Sequence, residues 1–280
     1  SCSNQAGLIL ETLTHTISKS DHSAIFLVEL VEPYEYETLY HHETSYWWFR
    51  GLHSIIIDMM KSLGLTAQSR VLDAGCGTGR NLQLVNERIT PLAYGFDIAS
   101  AAAPFWPKRN LDKVCLASAN EIPFKSGSFD AVVSVDLLEC DAVDERKAMG
   151  ELCRVLKPQG LMILVVPAYD WLMSEEHHRA VGASRRYSVR KLRDLATVYP
   201  LNVQKTTHLF ASMLPLVAAY RLLLPYFRKP SSEKPISEIK PMNQFADRVL
   251  YGAVKLEGKI IQKTGLPFGS SIMMILEKVR

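Results

Sequence analysis

A 280-residue chain with 48% hydrophobic and 22% charged residues has the make-up of an ordinary globular protein, either one large domain or one domain with a sizeable insertion. Its net charge of +3 is too small to argue for a nucleic-acid partner, and none is expected. Five cysteines without a C-x-x-C pair or zinc spacing point to reduced thiols in a cytoplasmic compartment and to no metal site, and no basic stretch followed by an apolar core marks a signal peptide.

Strand and helix patterns alternate along the chain. A strand over 70–72 leads through glycines to a helix over 81–88, and a short apolar run over 92–97 ends in Asp97. Strands follow at 113–117 and 129–135. Asp144 is placed to cap a helix through Met149, Leu152 and Leu156 that residues 158–160 end. Residues 161–166 are continuously apolar, as a central parallel strand buried on both faces must be. This alternation predicts an α/β sheet covered by helices on both sides, with ligands outside the carboxyl ends of the strands. The glycine turn, Asp97, Ser118, Ala119, Asn120, Val135 and Asp136 fall on that edge.

The stretch VLDAGCGTGR (71–80) carries the chemistry. Glycines at 75, 77 and 79 let backbone approach a ligand closely, because no Cβ intervenes. A dinucleotide fingerprint needs glycine where Arg80 stands. The carboxylate of Asp73 would repel a pyrophosphate but attract an ammonium or sulfonium. S-adenosylmethionine carries both cations and no phosphate. Asp97, 18 positions after Gly79, is suited to accept hydrogen bonds from both hydroxyls of a ribose.

With YGFDIA, SANEIPFKSGSFDAVVSVDLLE and ELCRVLKPQGLMILVVP, the turn resembles the class I S-adenosylmethionine-dependent methyltransferases over residues 70–168. The resemblance implies a Rossmann-like, mostly parallel sheet of seven strands with an antiparallel last strand, the sixth and seventh at 203–208 and 271–278. It implies S-adenosyl-L-methionine as cofactor, held by Asp73, Ala74, Gly75, Cys76, Gly77, Asp97, Ile98, Ala119, Asn120 and Val135. Two positions depart from the family pattern: Ser118 stands where many members have an acid, and Cys140 follows Glu139 where many have histidine.

The flanks, EPYEYETLYHHETSYWWFRGLHS (32–54) and HHRAVGASRRYSVRKLRDL (177–195), look like a bacterial methyltransferase subgroup of unsettled substrate. His178 and Ala183 stand where that subgroup usually has aspartate and histidine. Arg50 offers a planar fork for the cofactor carboxylate, and Trp48 an aromatic surface for substrate, although this segment reads equally as a helix packed on the sheet. Arg185, Arg186 and Tyr187 are candidates for recognising an anionic substrate group, and His177 for a general base.

The division expected is an N-terminal helical lid over 1–64 and a methyltransferase domain over 65–280, with an insert at 169–200 and a helical cap inserted over about 211–270. Residues 209–229 are apolar but interrupted by Arg221 and two prolines, which fits a cap over the site or a peripheral membrane contact rather than a span. Residues 243–262 read as an amphipathic helix with Phe245, Val249, Leu250, Val254 and Ile260 on one face. The function expected is direct in-line methyl transfer to a small or amphiphilic acceptor, such as a lipid-linked or glycan intermediate. The alternative is a non-catalytic module that binds the cofactor for regulation or docking.

Overall fold

The structure, a computed structural model, describes residues 33–173, 182–219 and 242–279. Period-two burial in the strands sets the architecture. Along the central strands, Val71, Val133, Ile163 and Val165 enter one apolar cluster, whereas Leu72, Val132, Met162 and Leu164 enter the other. Both faces of the sheet are therefore covered. The strands are β1 (Val71–Ala74), β2 (Ala93–Asp97), β3 (Val114–Leu116), β4 (Phe129–Val135), β5 (Leu156–Pro167), β6 (Leu201–Leu209) and β7 (Ser271–Lys278). They form one seven-stranded sheet in the order β3-β2-β1-β4-β5-β7-β6, and β7 runs antiparallel to both of its neighbours. The order reverses direction between β1 and β4, where a crevice opens at the carboxyl ends of the strands.

The helices are α1 (Pro33–His42), α2 (Trp47–Ser62), α3 (Arg80–Arg88), α4 (Glu145–Val155), α5 (Val189–Ala196) and α6 (Gln244–Lys263). In α2, Leu52, Ile55, Ile56, Met59 and Met60 recur at helical spacing and are all buried. They share a cluster with Leu82 and Val85 of α3 and Val254 and Ile261 of α6; α4 and α5 cover the opposite face through Met149, Leu152, Leu192 and Leu195. Asp144 caps α4 as expected, accepting from the backbone N–H of Arg146 at 3.0 Å and of Lys147 at 3.1 Å.

Two expectations need correction. The helix after Asp144 ends at Val155, before the proline, and the backbone enters β5 at once. There Phe129 pairs with Leu156 and Ala131 with Leu161, so 157–160 bulge out, with Gln159 at φ 63°. The buried face of α6 is also narrower than its apolar pattern suggests. It comprises Val254, Glu257 and Ile261, while Phe245 is 76% exposed and Val249 54%. Small residues fix the rotation of this helix: a Cβ on Gly51 would lie 2.5 Å from Val254 Cγ1, and one on Gly258 3.2 Å from Ile55 Cγ1. Close approach at these glycines decides which side of α6 meets α2.

Candidate active site

Three strand ends build one rim of a cavity of about 800 Å³. From β1 the chain turns through Gly75 and Gly77 at φ 73° and 53°, a region that side chains with a Cβ rarely adopt. A Cβ on Gly77 would meet no protein atom within 4 Å, because that position opens into the cavity. Asp97 closes β2. Its Oδ2 accepts from Gly77 N at 2.8 Å and its Oδ1 from Ala99 N at 2.9 Å, so the turn and the carboxylate hold each other in place. Burial raises the pKa of Asp97 above the usual carboxylate value, and these N–H groups oppose the rise.

Asp73 lies buried beneath the turn. Asn81 Nδ2 donates to its Oδ1 at 3.1 Å, whereas Oδ2 has no partner. Burial, helped by the Asp97 charge, pushes its pKa up to about 7 against hydrogen bonds from Asn81 and the Leu82 backbone. A buried carboxylate with an orphan oxygen beside an open glycine cradle suits a ligand that brings a cation.

Cys76, Ile98, Ala119 and Val135 line the same cavity. Ala74 does not, being fully buried in the core behind the turn. Asn120 also departs from its expected place. Its Nδ2 donates to Ala142 O at 3.1 Å and its Oδ1 accepts from Asp144 N at 2.9 Å, so its amide fastens the loop before α4.

The far wall is aromatic and aliphatic. Trp48 stacks on Phe210 with ring centroids 5.4 Å apart and an interplanar angle of 21°; Leu52, Met213 and Val217 continue the wall. Between the two ends stand Asp136 and Glu139, both lining the cavity. Asp136 lines the cavity with its side chain accessible from it, and desolvation by the surrounding protein raises its pKa to about 6. A hydrogen bond with Glu139 and the Arg186 charge oppose that rise. Burial and the neighbouring Asp136 charge hold Glu139 well above the usual carboxylate range, and Glu139 Oε2 is buried without a partner. Two carboxyls this close favour sharing one proton.

The remaining expected residues fare differently. Arg50 is absent from the cavity wall; Nη1 donates to Asp247 Oδ2 at 2.8 Å, and the guanidinium lies 4.0 Å from the Tyr251 ring centre. It anchors α2 to α6 instead of facing the cofactor site. Tyr187 is fully buried, its hydroxyl 3.0 Å from Leu138 O and 2.8 Å from Glu145 Oε2, so it is a structural tie. Arg185 reaches the cavity, but its Nε donates to Leu138 O and its Nη2 to the carbonyls of Cys140 and Val143. Arg186 Nη1 donates to Ala168 O at 2.9 Å. His177, and residues 220–241 of the cap expected over about 211–270, lie outside the described residues.

Sequence reading missed the clasp over the turn. Glu43, after α1, accepts from Arg109 Nη2 and Thr78 Oγ1, and Arg109 Nε donates to Thr78 O at 3.1 Å. Trp106 Nε1 donates to Gly77 O at 2.8 Å. The only trace in the sequence is an acid within an aromatic stretch, and no spacing links it to an arginine 66 positions away.

Fold and site together define an α/β domain built to hold a nucleoside bearing positive charge. Residues 72–164 match the family model "Methyltransferase domain". The chain carries a domain of the class I S-adenosylmethionine-dependent methyltransferases, whose cofactor the glycine cradle, Asp73 and Asp97 fit. An uncharacterized protein of Methanocaldococcus jannaschii is 37% identical over 108 residues, covering 37% of this chain and 40% of that protein. Sterol 24-C-methyltransferase of Schizosaccharomyces pombe is 30% identical over 130 residues, 44% of this chain and 33% of the relative. A tRNA (carboxymethyluridine(34)-5-O)-methyltransferase of Xenopus tropicalis is 27% identical over 187 residues, 63% and 27% respectively. The chain thus spans less than half the length of these curated relatives. Among solved structures, an S-adenosylmethionine-dependent methyltransferase of Thermotoga maritima shares the fold with a TM-score of 0.53 at 21% identity, covering 88% of this chain and 95% of that one. Geranyl diphosphate C-methyltransferase of Streptomyces coelicolor does so with a TM-score of 0.52 at 15% identity, covering 81% and 79%.

Proposed function

We propose that this protein transfers a methyl group from S-adenosylmethionine directly to a proton-bearing atom of a small or amphiphilic acceptor. One observation carries the reading: a single cavity runs from the Asp73 and Asp97 carboxylates to the Trp48–Phe210 wall, with the Asp136–Glu139 pair between them. Bound at the glycine turn, the cofactor supplies a methyl group already activated on a sulfonium.

The chain's own residues then have three tasks. Asp73, Asp97 and the Gly77 turn bind and orient. Trp48, Phe210, Met213 and Val217 exclude water and hold the apolar part of the acceptor, so 33–62 and 210–217 act as lid and cap. Asp136, with Glu139 holding the shared proton, accepts the proton that the acceptor atom releases.

An amphiphile is favoured over a nucleic acid because the arginines lining the cavity among the described residues, Arg185 and Arg186, are turned to carbonyls and to the carboxyl pair. A phosphate backbone would find little free positive charge there. A sterol methyltransferase among the relatives is in keeping with this reading. The test is incubation with methyl-labelled cofactor and, separately, lipid, small-metabolite and tRNA fractions. Label in the first or second fraction is expected. Label confined to tRNA would contradict the acceptor class, and binding without transfer would favour a non-catalytic module.

A further inference from the structure

The outer face of α6 is unusual in charge as well as in apolarity. Phe245, Val249, Leu256 and Ile260 form one ridge, with exposures of 76%, 54%, 61% and 40%. Beside it runs a second exposed ridge of Arg248, Lys255, Lys259 and Lys263. At 100° per residue the two ridges lie side by side along the helix, which is about 30 Å long. Neither acid of the helix reaches this face. Asp247 accepts from Trp47 N at 2.7 Å and pairs with Arg50, and Glu257 accepts from the backbone N–H groups of Ala211 and Ser212 at 3.1 and 2.6 Å. Among the described residues, no carboxylate pairs with the four cations.

We propose that this face docks on an anionic lipid surface, with the apolar ridge at the acyl boundary and the basic ridge among the headgroups. A matched partner must offer negative charge and an apolar layer along a straight line of about 30 Å, which a bilayer surface provides without any fitted shape. No described helix is long and apolar enough to cross a membrane, so the contact is peripheral. The inner face of α6 braces Trp47, Arg50 and the start of the 211–217 wall, which would set an apolar cavity close to the surface where amphiphiles reside. The docking claim does not depend on methyl transfer.

Co-sedimentation of the full chain with vesicles tests it, using phosphatidylcholine alone or mixed with phosphatidylglycerol at roughly three to one. Binding to the mixed vesicles is expected to exceed binding to the neutral ones by about tenfold or more, and to fall as salt rises from about 0.1 to about 0.5 M. Lys255→Glu/Lys259→Glu and Phe245→Ser/Leu256→Ser should each lower the bound fraction about tenfold, with an unchanged melting temperature and unchanged cofactor binding, since all four positions are exposed. Equal binding to both vesicle types, unchanged binding by the variants, or a wild-type chain that stays in the supernatant would overturn the proposal. A wild-type dimer in sedimentation velocity that Phe245→Ser/Leu256→Ser dissolves, without vesicle binding, would give the face to a second copy instead.

Discussion

At the glycine-turn end of the cavity, the ligand-facing groups come from neighbouring strand ends and fasten one another: Gly77 N and Asp97 Oδ2 are only 20 positions apart. At the apolar end, Trp48 and Phe210 meet from α2 and the far side of β6, and α6 holds them through contacts such as Arg50 to Asp247, 197 positions apart. One end is a local device set by the backbone, and the other is assembled by tertiary packing. The difference teaches that the acceptor wall can change while the cofactor cradle stays as it is. Binding of cofactor and treatment of acceptor should therefore separate under mutation.

The largest expected effect lies between the two ends. Asp136→Asn keeps the shape but removes the proton acceptor, and should lower kcat by about 100- to 10,000-fold in single-turnover assays. Because desolvation within the cavity holds Asp136 at about 6, the wild-type rate should rise with pH through that region and level off above it. A flat profile would remove the pair from the mechanism.

Next is the clasp. Glu43→Ala leaves the Arg109 guanidinium buried without its carboxylate and should cost about 3–5 kcal/mol in denaturant unfolding. Gly77→Ala is smaller in stability, about 1–2 kcal/mol for a left-handed alanine, but its methyl enters the cradle. Cofactor affinity measured by calorimetry should fall more than stability does, which distinguishes the cradle from a merely structural turn.

The smallest effect is in pH. Asp73 has a folded pKa of about 7, raised above its unfolded value, so the protonated form favours the fold, and the carboxylate that a cation needs disappears as pH drops below about 7. Cofactor affinity should weaken towards acid by at most about tenfold per unit, with proton release on binding near neutrality. Calorimetry in buffers of different ionisation enthalpy would read that release directly.

The cradle was legible because its logic is local: a strand, an acid, glycines and a helix within ten residues, then a second acid at the next strand end. The seven strands and the antiparallel β7 followed from the family resemblance, and the Asp144 cap from a local pattern. Arg50 was misassigned because a guanidinium fork suits any carboxylate, and nothing in sequence distance reveals that Asp247 supplies it. Tyr187 was a candidate for substrate recognition because it follows two arginines, yet it is buried against Leu138 and Glu145. The face of α6 was misjudged because Gly51 and Gly258, rather than the largest apolar side chains, fix its rotation. Asp136 was placed at the correct edge, but no sequence pattern marks its partner Glu139 or the left-handed φ of 48° that Asp136 adopts.

The separation of the two ends is tested most directly by equilibrium dialysis of labelled S-adenosylmethionine against the wild type, Asp97→Ala and Asp136→Asn. The wild type should bind, Asp136→Asn should bind within about threefold of it, and Asp97→Ala should lose about 100-fold or more through two charge-assisted hydrogen bonds. Equal losses in both variants, or a wild type that does not bind, would contradict the account.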